Sequence, residues 1–197
     1  MPDLMDGVAN FRRDVFPAKA GLFARLATEH RPTTLFIGCS DARVVPELIT
    51  QSEPGELFVI RTAGNLVPAH STAADGTAAS IEFAVSVLGV SDVIVCGHSG
   101  CGAMTALAEG HDLSAAPQVA TWLRHADASV ARAATAEGPA EVGALVWANV
   151  SAQLRNLATH PSVARALAER RLTLHGWVFD IASGAVDRLE TLDRAGV

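Results

Sequence analysis

The sequence is poor in residues that several common chemistries require. It has no tyrosine, so no phenol can serve as an acid or base, and its one lysine, Lys19, lies outside any phosphate-binding loop motif. That argues against a Walker-type nucleotidase and leaves any Schiff-base chemistry to a single residue. Three cysteines are too few, and odd in number, for a disulfide scaffold. In a reducing compartment they indicate burial, catalysis or metal binding.

Basic patches and long apolar runs are also missing. Residues 1–98 carry 7 basic and 11 acidic side chains, and residues 99–197 carry 8 and 10. Neither half is basic, which argues against a nucleic acid partner. No apolar run approaches the roughly 18 residues of a membrane helix, so we expect no membrane span. Residues 1–6 have no secretory-signal character. Unless a leader has already been removed, we expect a cytoplasmic protein.

The composition that is present suits one domain with a substantial core. With 197 residues and 49% hydrophobic content, the chain can bury a sizeable core, and we expect a single domain over 1–197. Residues 1–29 precede the first strand signal and predict a helical arm, with Pro17 breaking it into two halves. We expect this arm to pack on the core or on a partner subunit. Its apolar residues recur at helical spacing: Phe11, Val15, Phe16, Leu22, Phe23 and Leu26.

Short apolar runs alternate with helical stretches over the rest of the chain. Residues 33–38, 56–61 and 93–97 are continuously apolar, which is typical of strands buried on both faces. The alternation predicts an α/β fold with a mostly parallel central sheet flanked by helices. Residues 173–181 and 186–189 predict an antiparallel hairpin at the sheet edge. Helical spacing covers 77–88, 101–109 and 142–157.

Two of the buried runs end in residues with metal-ligand chemistry. Cys39, Asp41 and Arg43 follow the first run, and His98 and Cys101 follow the third. Ligands of open α/β sheets bind beyond the carboxyl ends of the strands, so both segments are expected to face one crevice. Catalytic zinc takes three protein ligands and keeps one open position. The pattern therefore predicts a zinc site formed by Cys39, His98 and Cys101.

Other interpretations of these cysteines stay open at this point. A redox pair of Cys39 and Cys101 would leave His98 without a role. A structural zinc would need a fourth ligand, and the only spare cysteine is Cys96, which we interpret as a buried apolar side chain inside its strand. The glycine-rich run 97–102 lacks the spacing of a dinucleotide-binding loop.

Asp41 and Arg43 form a candidate gate. An arginine two residues beyond an aspartate can hold its carboxylate in a bidentate pair. Held away from the metal, Asp41 can only accept a hydrogen bond from the fourth ligand, which selects a hydroxyl-bearing group. Released, Asp41 would bind the zinc itself and close the site.

The motifs Cys39–Arg43 and His98–Gly102 together resemble those of the β-class carbonic anhydrases. The resemblance implies reversible hydration of CO2 to bicarbonate and a proton by a zinc-bound hydroxide, with one Zn2+ per chain. Further similarity covers roughly residues 10–190 and includes Pro54–Asn65, Ile81–Val85 and His175–Asp180.

The resemblance also assigns roles to residues. It implies Cys39, His98 and Cys101 as the zinc ligands and Asp41 with Arg43 as the catalytic gating dyad, Asp41 joining the metal only in a closed state. It further implies a homodimer or a dimer of dimers. In such a dimer the N-terminal helices wrap the partner, and the active sites lie near the dimer interface.

The implied substrate pocket contains two departures from the family pattern. A glutamine is usual at the position of His30, and a tyrosine at that of Phe83. Loss of these hydrogen-bonding groups is expected to weaken bicarbonate positioning or to reroute the proton, and His30 is a hypothetical proton shuttle near neutral pH. The implied pocket residues are His30, Phe58, Ala63, Phe83 and Gly102.

Two rival functions fit part of the pattern. A carbonyl sulfide or carbon disulfide hydrolase on the same scaffold would attack a similar small, linear electrophile with the same ligands, so pocket access would decide. A non-catalytic zinc-holding subunit of a larger assembly predicts loss of a ligand or of the Asp41–Arg43 pair, and neither is lost.

Overall fold

The computed structural model describes residues 3–73, 75–134 and 140–189. The chain divides into an N-terminal unit that ends at Arg31 and a main unit that begins at Pro32. No helix in these described ranges is both long enough and apolar enough to cross a membrane.

The N-terminal unit is helical, as the arm prediction requires. Its helices are α1, Leu4–Asn10, and α2, Phe16–Leu26, joined by the π-helical turn Phe11–Val15. The two halves predicted on either side of Pro17 correspond to α1 and α2. Pro17 lies in the first turn of α2, where its missing N–H and fixed φ cost little, and the π-helical segment directly before it joins the two helices. The rings of Phe11, Phe16 and Phe23 pack together within this unit, with centroids 5.4 to 6.2 Å apart.

The main unit is built on a five-stranded sheet with the order β2-β1-β3-β4-β5. The first four strands in this order are parallel, and β5 pairs antiparallel with β4. The prediction of a mostly parallel sheet with an antiparallel edge hairpin is therefore confirmed. The strands are β1, Thr34–Cys39; β2, Leu57–Thr62; β3, Asp92–His98; β4, Thr173–Phe179; and β5, Val186–Arg188.

Helices connect and flank these strands. The long helix α8 packs directly on β3 and β4. A π-helical segment, Phe83–Leu88, continues α4, and a 3-10 turn, Arg124–Ala126, links α6 to α7. The helices of the main unit are α3, Pro46–Thr50; α4, Gly76–Glu82; α5, Gly102–Ala108; α6, Pro117–Leu123; α7, Asp127–Ala133; α8, Val142–Ala158; and α9, Pro161–Ala168.

The central strands are buried on both faces. Leu35 and Ile37 of β1 belong to the large core, whereas Phe36 between them belongs to a smaller cluster with Ile94 and Cys96 of β3. Two apolar faces explain why these runs are continuous in the sequence rather than alternating. Cys96 is fully buried, in agreement with its interpretation as an apolar side chain.

Gly97 lets α8 lie close to β3, directly before His98. A Cβ at Gly97 would be 2.8 Å from Val150 Cγ2 and 3.1 Å from Val146 Cγ1. We predict that Gly97→Ala destabilises the fold by about 1–3 kcal/mol, because two packed elements must move apart. Urea unfolding measures the effect.

The matched control is Gly143→Ala, which lies on α8 itself. A Cβ at Gly143 meets open space, and alanine suits a helix better than glycine by about 0.5–1 kcal/mol. This variant should be as stable as the parent or slightly more so. Equal midpoints for the two alanine variants would show that α8 does not press on Gly97.

Candidate metal centre and active site

The sheet brings three potential metal ligands together. Strands β1 and β3 are neighbours and parallel, so Cys39 and His98 end them at the same edge. Cys101 follows as the N-cap of α5. The two sulfur atoms and a ring nitrogen of His98 all lie within 4.8 Å of one another. All three side chains are buried, His98 completely.

His98 has one ring nitrogen occupied and the other free. Its Nδ1 lies 3.0 Å from the Ser99 carbonyl oxygen, so Nδ1 carries the hydrogen and donates. Its Nε2 is buried and has no hydrogen-bond partner among the described residues. His98 lies next to the Cys39 sulfur. An orphaned buried acceptor beside two thiols is the arrangement a metal ion would complete.

The Cys39 and Cys101 sulfurs share a hydrogen bond that favours ionisation of Cys39 and disfavours that of Cys101. A hydrogen bond from Cys101 is the main cause that holds the pKa of Cys39 well below its usual range, against the opposing effect of burial. The same contact, together with burial, raises the pKa of Cys101. Backbone N–H groups reach both sulfurs: those of Asp41 and Gly64 reach Cys39, and those of Ala103 and Met104 reach Cys101.

Cys96 lies apart from the ligand cluster although it is only two residues from His98. Burial raises the pKa of its thiol to about 12. Cys96 belongs to the small cluster that also contains Phe36 and Phe179. The structure thus separates one apolar cysteine from the two that share a site.

Asp41 and Arg43 form a bidentate pair next to the site. Arg43 Nε donates to Asp41 Oδ1 at 2.9 Å, and Arg43 Nη2 donates to Asp41 Oδ2 at 2.6 Å. The Arg43 backbone N–H adds a third bond to Oδ1 at 2.9 Å. These bonds, led by the guanidinium, hold the pKa of Asp41 well below its usual range. Asp41 Oδ2 lies 3.9 Å from His98 Nε2, so the charged carboxylate borders the ligand set.

Two arginines tie the Asp41 loop to its surroundings. Arg43 Nη2 also donates to the Gly100 carbonyl at 3.1 Å, which links the dyad to the loop that carries Cys101. Arg61 on β2 donates to three carbonyls of the loop after β1. The sequence gives no direct signal that Arg61 holds this loop, because the contact depends on β2 lying beside β1. The three acceptors are Cys39, Asp41 and Val44, at 3.0, 2.6 and 2.8 Å.

The implied pocket residues fall into three places. The rings of Phe58 and Phe83 lie 6.0 Å apart, and Phe83 is 42% exposed. Ala63 begins the turn after β2, and Gly102 begins α5. His30 lies in the N-terminal unit, after α2. The structure therefore brings Phe58 and Phe83 together. The assignment of all five residues to a substrate pocket stays a prediction.

Fold and site together define a class of protein. It is an α/β protein whose parallel strands end at a buried cluster of two cysteines and one histidine, bordered by an Asp–Arg pair. The donor set matches a catalytic zinc centre with three protein ligands.

Comparison with known proteins identifies the family. A family profile described as carbonic anhydrase matches residues 34–186. The chain is 55% identical to a carbonic anhydrase of Pseudomonas aeruginosa, over 98% of this chain and 90% of the relative. It is 52% identical to carbonic anhydrase 1 of Escherichia coli O157:H7, over 94% and 86% of the two chains.

Solved structures agree with this match. The β-carbonic anhydrase CcaA superposes with a TM-score of 0.86 at 39% identity, covering 94% of this chain and 92% of that one. A tetrameric β-carbonic anhydrase from Sordaria macrospora gives a TM-score of 0.82 at 30% identity, covering 95% of each chain. This chain belongs to the β-class carbonic anhydrases, an enzyme family, as its sequence motifs predicted.

Proposed function

We propose that this protein catalyses the zinc-dependent, reversible hydration of CO2 to bicarbonate and a proton. The observation that carries the proposal is the buried cluster of Cys39, His98 and Cys101, bordered by an Asp41 carboxylate that Arg43 holds with two hydrogen bonds. Its occurrence in a β-class carbonic anhydrase chain supports the assignment.

The residues fit one Zn2+ per chain. Cys39, His98 and Cys101 would hold it, because two cysteine sulfurs and an imidazole nitrogen without a hydrogen-bond partner are the donors that zinc prefers. When bound, zinc lowers the pKa of a coordinated water and so makes a nucleophile available near neutral pH.

Asp41 selects and orients what enters the site. Both of its carboxylate oxygens accept hydrogen bonds from Arg43, so the group stays ionised and can act only as an acceptor. A water molecule that enters must therefore donate a hydrogen to Asp41, and this fixes the direction of its lone pair. If the Asp41–Arg43 hydrogen bonds opened, Asp41 would be free to move toward the ligand cluster and close the open metal position. In this way the pair would act as a gate.

Phe58 and Phe83 supply an apolar surface for CO2. Their rings lie 6.0 Å apart, and neither carries a hydrogen-bonding group. Such a wall favours an apolar, linear substrate over water and leaves polar recognition to Asp41. In this proposal, His30, Ala63 and Gly102 complete the pocket.

The proposal includes an oligomer and a cytoplasmic location. The tetrameric relative from Sordaria macrospora supports a homodimer or a dimer of dimers. The N-terminal helices support it too, because they expose large apolar side chains: Leu4 is 85% exposed and Met5 is 66% exposed. We infer that this arm packs on a partner subunit.

The charge balance gives no basis for a nucleic acid partner.

A comparison of substrates on one zinc-loaded preparation tests the reaction assignment. We expect stopped-flow hydration of CO2 far above the uncatalysed rate and no release of sulfide from carbonyl sulfide or carbon disulfide. Sulfide release without CO2 hydration would replace the proposed substrate with one of these. Absence of every reaction from a fully zinc-loaded protein would favour a non-catalytic assembly subunit.

A further inference from the structure

The turn Ala63–Asn65 lies beside the Cys39 sulfur. Strand β2 pairs with β1 so that Thr62 is opposite Cys39, and the chain then turns across the end of β1. The backbone N–H of Gly64 donates to the Cys39 sulfur. Gly64 has a φ of 71°, and a Cβ there would lie 3.0 Å from the Ala103 Cβ. The position therefore requires glycine, and the turn lies tightly against α5.

Two side chains from distant helices hold the carbonyls of this turn. Trp122 Nε1 on α6 donates to the Ala63 carbonyl at 3.0 Å, and Asn149 Nδ2 on α8 donates to the Gly64 carbonyl at 2.9 Å. The Ala63 carbonyl and the Gly64 N–H belong to one peptide group. The indole therefore bonds one end of an amide whose other end bonds the Cys39 sulfur, and such linked hydrogen bonds strengthen each other.

The orientation of the Asn149 amide is itself fixed. Asn149 is only 1% exposed. Its Oδ1 accepts from Ser129 Oγ at 3.1 Å and from Gln153 Nε2 at 2.9 Å, so its NH2 group faces the turn. Gln153 in turn accepts from the Val67 backbone N–H at 2.9 Å. A buried network with these bonds satisfied is rigid, and it transmits the position of α8 to the turn.

We propose that Trp122 and Asn149 are positioning residues for the Cys39 ligand. Trp122 fixes the Ala63–Gly64 peptide group and Asn149 fixes the Gly64–Asn65 peptide group that follows it, so that the Gly64 N–H stays on the sulfur and metal binding is strengthened. This inference rests on the zinc site of the proposed function. Both residues act through Gly64. Groups that orient metal ligands in this way typically contribute about 10–100-fold in metal affinity.

The test compares two tryptophan-to-phenylalanine variants of the full chain. Trp122→Phe removes the indole N–H and keeps an aromatic ring in place. Trp147→Phe, on α8, is the matched control, because Trp147 is 38% exposed and is not part of the turn network. Each protein is loaded with Co2+, whose thiolate-to-metal absorption reports the sulfur ligands, and the affinities for Co2+ and Zn2+ are measured by competition with a chelator.

Trp122→Phe should bind both metals about 10-fold more weakly or worse, with the sulfur-to-cobalt band displaced to longer wavelength because the sulfur loses hydrogen bonding. Trp147→Phe should match the parent in affinity and band position. Asn149→Asp keeps the acceptor oxygen and removes the amide donor to Gly64, so it should shift both readouts in the same direction as Trp122→Phe. Partial unfolding lowers the band intensity without moving the band, so the spectrum separates positioning from loss of fold.

Parent-like affinity and spectrum in Trp122→Phe would overturn the positioning role. A parent protein that binds cobalt with no thiolate absorption would be a different failure, because the proposed metal site itself would then be wrong.

Discussion

Replacing Cys39 with serine is expected to remove both bound zinc and CO2 hydration. Cys39 supplies a thiolate that receives hydrogen bonds from Cys101 and from backbone N–H groups, and a serine hydroxyl does not ionise to replace it. Loss of a direct ligand should exceed the roughly 100-fold upper range of effects caused by surrounding residues. Elemental analysis of the purified protein and stopped-flow hydration measure the two losses.

The matched control is Cys96→Ala. Cys96 is a second buried cysteine, but burial raises its pKa to about 12 and it lies among apolar residues. This variant should keep one zinc per chain and the parent rate, at a cost of about 1 kcal/mol in stability. Full zinc content in Cys39→Ser would contradict the ligand assignment, as would loss of zinc in a folded Cys96→Ala protein.

Replacing Asp41 with alanine is expected to separate catalysis from metal binding. Asp41 borders the ligand set at 3.9 Å from His98 Nε2 and accepts two side-chain bonds from Arg43. Without this acceptor nothing orients the attacking water, so the rate should fall by about 100- to 1,000-fold, comparable to loss of one preorganised active-site hydrogen bond. Zinc content should stay at one per chain, because the three ligands remain.

Glu169→Gln is the matched control for Asp41→Ala. Arg171 Nε donates to Glu169 Oε2 at 2.6 Å, so this pair has the same two-residue spacing as the dyad but lies on an exposed surface. Its loss should leave the rate and the zinc content unchanged. If Asp41→Ala hydrates CO2 at the parent rate, Asp41 and Arg43 have no role in catalysis, and the pair only stabilises the loop after β1.

The ligand cluster could be predicted because the relevant geometry is simple. Continuous apolar runs mark strands buried on both faces, and parallel strands present their carboxyl ends at one edge. Cys39 and His98 each end such a run, and the structure places them beside each other and next to Cys101. Cys96 lies inside its run, and its interpretation as a core residue is confirmed because it is fully buried.

The supports of the site could not be predicted in the same way. Asn149 and Trp122 act on Gly64 and Ala63, which lie 85 and 59 residues away in sequence. Such partners depend on how α6 and α8 lie over the turn, and no spacing rule encodes that. Local rules placed the start of the second arm helix at Pro17, but they did not predict the π-helical segment Phe11–Val15 that joins it to the first.

The most direct test of the account is a zinc titration of the metal-free full chain, followed by the rate of CO2 hydration at fixed pH. Cys39, His98 and Cys101 form the ligand cluster found in the described part of the chain. The rate should therefore rise in proportion to added zinc and stop rising at one equivalent per chain. A rate that does not depend on zinc, or that stays at the uncatalysed level after one equivalent has bound, would contradict the account.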